Sequence, residues 1–313
     1  MALIKGSRAR KLVFRKIFHP VNSFRLLGHL FSKKRRRRVD DDAQLQLYAR
    51  MFPGGYLHYG YFDDTDTPGD AIGFGDIQAA QQRYADVVLD QIGDPNSPVL
   101  DVGCGMGGLM AEMRRRSIEC VGLTPDRSQI AHIRATQADA VVEHARFEDI
   151  DPDRYRGHFG TVINSESLQY IDLDAAIAAV DRALKPGGRW IVIDYFRRGD
   201  AFEGSGHQVS GFRDRLAAAG YELLVERDVT ANVLPTMRFA HLLGERLALP
   251  LAGYVFDKIE AKTTALNFVL EDLIAEIRPN LGELFHTVDP KVFARDKQYM
   301  LFVAHRRDPA ESQ

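Results

Sequence analysis

Acidic side chains are missing from the first 39 residues, which instead carry 13 lysines and arginines. The rest of the chain holds 28 basic and 43 acidic side chains, although the formal net charge of the whole is only −2. So acidic a body argues against the basic face that phosphate backbones require, and no nucleic-acid partner is expected. Cysteine is scarce. Cys104 and Cys120 cannot build a disulfide framework, and no Cys/His cluster has zinc-ligand spacing. No metal is expected, and a reducing, cytoplasmic setting fits. Long hydrophobic runs are also lacking. The apolar stretches of the basic arm reach about three residues against the roughly 18 of a membrane span, and their interspersed charges spoil a signal-peptide core.

The arm does contain Phe14, Ile17, Phe18, Phe24, Leu26, Leu27 and Phe31 set among cations, followed by the run Lys33 to Arg38. Apolar groups between cations suit a segment lying in the plane of an anionic membrane, so residues 1–38 are expected to meet such a surface peripherally. A solvated basic tail has the same composition.

Five segments are expected. Residues 1–42 form the arm, closed by the charge reversal at Asp40-Asp41-Asp42. Residues 43–92 form a lid of aromatic lead and helices, including Ala43–Phe52 and Asp76–Ile92. Residues 93–228 alternate apolar strands (Val99–Val102, Glu119–Leu123, Val141–Ala145, Thr161–Asn164, Trp190–Tyr195, Tyr221–Glu226) with helical runs, the pattern of a doubly wound parallel α/β sheet. Residues 229–290 read as a helical substrate cap broken at Pro235 and Pro250, and residues 291–313 supply a last strand, Tyr299–Ala304, and a tail.

Val99-Leu-Asp101-Val-Gly103-Cys-Gly105-Met-Gly107-Gly108 follows one strand and opens a helix. Such glycines let the backbone turn sharply and approach a ligand that a Cβ would exclude, while the helix N-terminus favours negative charge. The glycines alone fit a dinucleotide site equally well. Three features favour another ligand. About 100 residues precede the loop, and the second strand ends on Thr124 rather than an acid. Asp101, just before the glycines, suits a cationic amine better than a pyrophosphate.

This run resembles motif I of the class I S-adenosylmethionine-dependent methyltransferases. Leu184-Lys-Pro-Gly-Gly-Arg189 is similar to the turn before that family's fifth strand. The implied fold is a Rossmann-like seven-stranded sheet whose last strand is antiparallel, and the implied cofactor is S-adenosyl-L-methionine. Leu57-His-Tyr-Gly-Tyr-Phe62, Gly122 to Gln129 and Ser165 to Tyr170 resemble the branch holding cyclopropane-fatty-acid synthases, tocopherol and sterol methyltransferases, and bacterial small-molecule methyltransferases.

The resemblance implies that Asp101, Gly103 and Gly105 line the methionine end of the cofactor. Thr124 and Gln129 would stand in for a ribose-binding acid, Phe147 and Glu148 would neighbour the adenine, and Asn164 and Ser165 would lie under the sulfonium. Tyr59 would close over the methionyl group. Glu166, just past the fourth strand, is the expected base, with His58 and Tyr59 beside the reaction and Tyr170, Tyr195, His207, His241 and Arg238 as lesser candidates. The expected activity is methylation of a small-molecule or lipid-like acceptor, foremost at carbon of an unsaturated lipid or isoprenoid. N- or O-methylation of a soluble metabolite, or a non-catalytic binding protein, is the alternative. Gln169-Tyr170 stands where cyclopropane synthases carry a Glu-His pair, which counts against cyclopropanation.

Overall fold

The computed structural model describes residues 50–51, 54–199, 206–262 and 289–306. The basic arm, nearly all of the helix expected over Ala43–Phe52, and the later part of the expected cap lie outside the described residues. Two units are distinguished. One contains the sheet, and the other contributes the helix Leu249–Lys262 to the described residues.

The sheet has seven strands: β1 Val99–Val102, β2 Cys120–Leu123, β3 Val141–Glu143, β4 Phe159–Ser165, β5 Leu184–Arg197, β6 Tyr221–Asp228 and β7 Lys297–Arg306. Their order is β3-β2-β1-β4-β5-β7-β6. The pairings among β1 to β5 are parallel, and β7 inserts antiparallel between β5 and β6. This is the class I methyltransferase architecture, including the expected antiparallel last strand.

Strands so placed bury both faces, which is why they read as continuous apolar runs rather than alternating ones. Ile163, Ile191, Ile193, Leu301 and Val303 pack on one side with Tyr84, Val88, Met110 and Ile133. Val162, Trp190, Val192 and Phe302 pack on the other with Ala176, Val180 and Phe212. The covering helices are α1 Phe74–Leu89, α2 Gly108–Arg115, α3 Arg127–Thr136, α4 Leu173–Ala183 and α5 Val209–Ala218. Asp126 and Asp172 cap α3 and α4, each accepting two main-chain N–H groups of the first turn. The expected strand Trp190–Tyr195 is longer than its apolar run. β5 begins at Leu184, opposite Phe159, and Lys185-Pro-Gly-Gly188 bulges out before Arg189 rejoins opposite Thr161.

Helix α6 spans Thr230–Leu243 and continues through Pro235, contrary to the expectation that this proline breaks it. Ala231, whose carbonyl loses its helical donor there, is exposed to water, while Pro235, Val233, Met237 and Phe239 are buried. Pro250 does not interrupt either. It lies inside α7, Leu249–Lys262, rather than between two helices. Helix α8, Pro290–Asp296, leads into β7.

The lead segment is pinned from two sides. Tyr61 donates its N–H to Ala80 of α1, and Phe62 donates its own to Asn232 of α6. Gly60 touches both helices: a Cβ there would come within 2.6 Å of the Ala80 methyl. Arg238 donates to the carbonyls of Thr65 and Thr67, so it holds this loop rather than a ligand.

Candidate active site

In an open parallel sheet, ligands bind beyond the carboxyl ends of the strands where the strand order reverses. Here that point lies between β1 and β4, and the glycine loop, the turn after β4 and the lead segment meet there. A cavity of about 390 Å³ is lined by Asp101, Gly103 and Gly105, by Thr124 and Gln129, by Tyr56, Leu57 and His58, and by Ser165 to Ser167 with Gln169 and Tyr170. A neighbouring cavity of about 250 Å³ is lined by Leu123, Ala145, Phe147, Glu148 and Ile171. The two share Gly103, Pro125, Ser167 and Tyr170.

The glycine loop must pass close to its neighbours. Gly103 has φ +75°, and a Cβ there would come within 2.5 Å of the Ser167 side chain. Beside it Asp101 is 2% exposed, and its Oδ2 is buried without a hydrogen-bond partner. Desolvation pushes this carboxyl up to about 7. An unpaired buried carboxylate is costly unless a ligand supplies the missing cation. The cationic amine of an amino-acid ligand fits that requirement.

Thr124 donates to Gln129 Oε1 at 2.6 Å at the end of β2. Asp126 is committed to capping α3, which leaves Thr124 and Gln129 as the polar pair on that wall. Phe147 is buried in the wall of the second cavity, and Glu148 pairs with Arg146. Asn164 does not line either cavity. Its Nδ2 donates to Ser167 and its Oδ1 accepts from Trp190 Nε1, both at 2.9 Å, so it braces Ser167 from behind.

Glu166 follows β4 with φ +52°, a left-handed conformation that costs a non-glycine residue about 1 kcal/mol or more. That bend turns the side chain toward the lead segment. Its Oε1 accepts the Tyr59 N–H at 2.8 Å and the Tyr299 hydroxyl at 2.5 Å. Desolvation pushes the Glu166 carboxyl up to about 7, with the bonds from Tyr299 and Tyr59 opposing.

His58 donates from Nδ1 to the Tyr59 carbonyl at 2.7 Å and stacks on Tyr84 at 3.9 Å between ring centroids. Its Nε2 is therefore a bare lone pair, buried and without a partner. Burial lowers this imidazole to about 4, so it is neutral near pH 7. The Tyr59 ring packs edge-on against Phe293 and Tyr299 and is not among the residues lining the cavity. Its main chain, rather than its ring, serves the site.

Of the lesser candidates, Tyr170 lies exposed on both cavity walls. The Tyr195 ring meets Phe293 and the Lys297 ammonium, His207 donates to the Leu168 carbonyl, and His241 pairs with Glu245. Sequence reasoning overlooked Ser167, Leu57, Tyr84 and Tyr299. Ser167 had a visible signal, lying one residue past the expected base. The two tyrosines are polar-tipped rings, which call for a partner when buried.

Residues 99–188 match the family model described as a methyltransferase domain. Residues 99–188 carry a methyltransferase domain, set in a sheet with the class I strand order. S-adenosylmethionine is its cofactor, and the orphaned Asp101 carboxylate beside the crowded glycine turn suits the methionyl amine. An O-methyltransferase of Penicillium expansum is 25% identical over 233 residues, 66% of this chain and 78% of the relative. Among solved structures, the [4+2]-cyclase SpnF superposes with a TM-score of 0.58 at 21% identity, covering 85% of this chain and 95% of that one. The geranyl diphosphate C-methyltransferase of Streptomyces coelicolor A3(2) also gives 0.58, at 19% identity, covering 83% and 92%. These structural likenesses concern the fold of the methyltransferase domain, and the acceptor must be argued from the site itself.

Proposed function

We propose that this methyltransferase transfers its methyl group to a carbon of an unsaturated, largely apolar small molecule, an isoprenoid or lipid-like acceptor, and that Glu166 removes the proton. One observation carries the reading. A carboxylate whose proton affinity lies near neutrality shares a cavity with the carboxylate suited to the cofactor's amine. S-adenosylmethionine, when bound, supplies an already activated methyl on a sulfonium. Asp101 then holds the amine, Thr124 and Gln129 address the ribose, Phe147 and Glu148 flank the adenine, and Leu57 and Tyr56 help exclude water.

What remains for the chain is in-line positioning and disposal of one proton. Methyl addition to an alkene leaves a cationic carbon. Aromatic faces such as Tyr56 and Tyr170 can stabilise it, and among the described residues no lysine or arginine lines the cavity to oppose it. Glu166 takes the proton from the neighbouring carbon, and the freed C–H electron pair restores the double bond.

A second reading, O-methylation, is favoured by the bare Nε2 of His58, which can accept the proton of a hydroxyl acceptor. In either case residues 1–38 would hold the enzyme against an anionic membrane.

The test incubates purified protein and methyl-labelled S-adenosylmethionine with panels of isoprenoid alkenes, unsaturated lipids, phenols and amines. Label in a carbon-bound methyl supports the first reading, and label in a methyl ether supports the second. Bound cofactor with no labelled product from any panel overturns methyl transfer.

A further inference from the structure

Two fully buried tyrosines lie behind Glu166 without touching the cavity. Tyr299 of β7 donates to Glu166 Oε1 at 2.5 Å. Tyr84 of α1 lies 3.1 Å from the Tyr299 hydroxyl and 3.1 Å from Ser165 Oγ. An ionised carboxylate can only accept, so the Tyr299 proton is committed to Glu166. The Tyr299 oxygen then accepts from Tyr84, whose hydroxyl also lies 3.5 Å from the Ile193 carbonyl, and the Tyr84 oxygen accepts from Ser165. The donors run in one direction, from Ser165 through Tyr84 and Tyr299 to Glu166. Bonds aligned in this way polarise one another.

We propose that Tyr299, backed by Tyr84 and Ser165, is a positioning residue that decides which oxygen of Glu166 receives the proton and how tightly it is held. The inference rests on Glu166 being the base. Oε1 already takes two hydrogen bonds, from Tyr59 and Tyr299. No hydrogen bond to Oε2 occurs among the described residues, so Oε2 is the oxygen left for an acceptor molecule. Burial holds both phenols well above their ordinary range, so they remain donors throughout the working pH.

Other titratable groups surround this carboxyl. Asp194 of β5, itself pushed up to about 8 by burial, is raised further by the Glu166 charge, and Lys297 of β7 feels the charge of Asp194. Tyr170 looks on from the following turn, and His58 of the lead segment is neutral. Among the described residues, only Tyr299 and the Tyr59 N–H bond the carboxylate directly.

The experiment compares wild type with Tyr299→Phe and Tyr84→Phe, which keep both rings in the core. It reads the acidic limb of the kcat profile and, independently of turnover, the titration of the Glu166 carboxyl by infrared or carbon-13 NMR against Glu166→Gln. A hydrogen bond to the charged form holds the proton affinity down, so losing it moves both readouts to higher pH. The expected shift is about one unit or more for Tyr299→Phe and a smaller shift in the same direction for Tyr84→Phe. Unmoved titrations in folded Tyr299→Phe overturn the inference. Undiminished turnover in Glu166→Gln overturns the underlying assignment of the base instead, and the carboxyl titration distinguishes the two failures.

Discussion

Glu166 Oε1 accepts the main-chain N–H of Tyr59 at 2.8 Å, tying the carboxyl end of β4 to a segment 107 residues earlier. The neighbouring Tyr59 carbonyl takes the proton of His58 Nδ1. One residue's peptide groups therefore orient both a carboxylate and an imidazole at the same cavity.

Glu166→Gln keeps the volume and one acceptor but removes the base. Turnover should fall by about two orders of magnitude or more, with affinity for S-adenosylhomocysteine changed less than threefold by calorimetry. In wild type the base must be ionised, so the rate should decline as pH falls through about 7. A flat profile between pH 6 and 8 would remove Glu166 from the reaction.

Asp101→Asn should separate stability from binding. Asp101 is pushed up to about 7 and Asp194 to about 8, well above an exposed carboxyl near 4. The folded protein thus holds these protons more tightly than the unfolded chain. Stability should fall as pH rises from about 4 to 8 and level off above. At pH 8 the ligand-free variant should melt a few degrees higher than wild type while binding S-adenosylhomocysteine at least tenfold more weakly. Thermal shift with and without ligand measures both, and equal affinity would contradict the role given to Asp101.

Gly103→Ala places a methyl 2.5 Å from the Ser167 side chain at φ +75°. The loop should shift, lowering the melting temperature and weakening cofactor binding by an order of magnitude or more. Pairing it with Ser167→Gly, which vacates the contacted atoms, should recover part of the affinity. No recovery would place the damage in the backbone conformation alone.

Removing residues 1–38 should reduce binding to vesicles containing anionic lipid, most strongly at low ionic strength, and leave S-adenosylhomocysteine affinity intact. Cosedimentation across a salt series measures it, and undiminished binding by the shortened chain would leave the arm without that role.

Much of this arrangement is legible in the sequence because it is local. Val99–Val102 is apolar, short and followed by glycines, and it is the strand expected from the sequence. The antiparallel last strand followed from the family resemblance. Long-range partners are a different matter. Tyr299 and Glu166 are 133 residues apart, and no periodicity in either segment specifies the other. Asn164 and Ser165 are adjacent at the end of β4, yet only Ser165 lines the cavity, while Asn164 is taken up by Trp190 and Ser167. The alternation of a strand shows that neighbours diverge, but the cavity side is settled by packing. Pro235 misled for the opposite reason: a strong local rule gave way to a well-packed helix with its freed carbonyl near water.

The insertion of β7 between β5 and β6 has a consequence for biosynthesis. Among the described strands β6 pairs with β7 alone, so until β7 arrives it has no neighbour in the sheet. A ribosome reaches β7 only after making all the other strands, and the same strand delivers Tyr299. Completion of the sheet and delivery of the Tyr299 hydroxyl to Glu166 therefore wait on the same strand, and a nascent chain stalled before Lys297 would lack both.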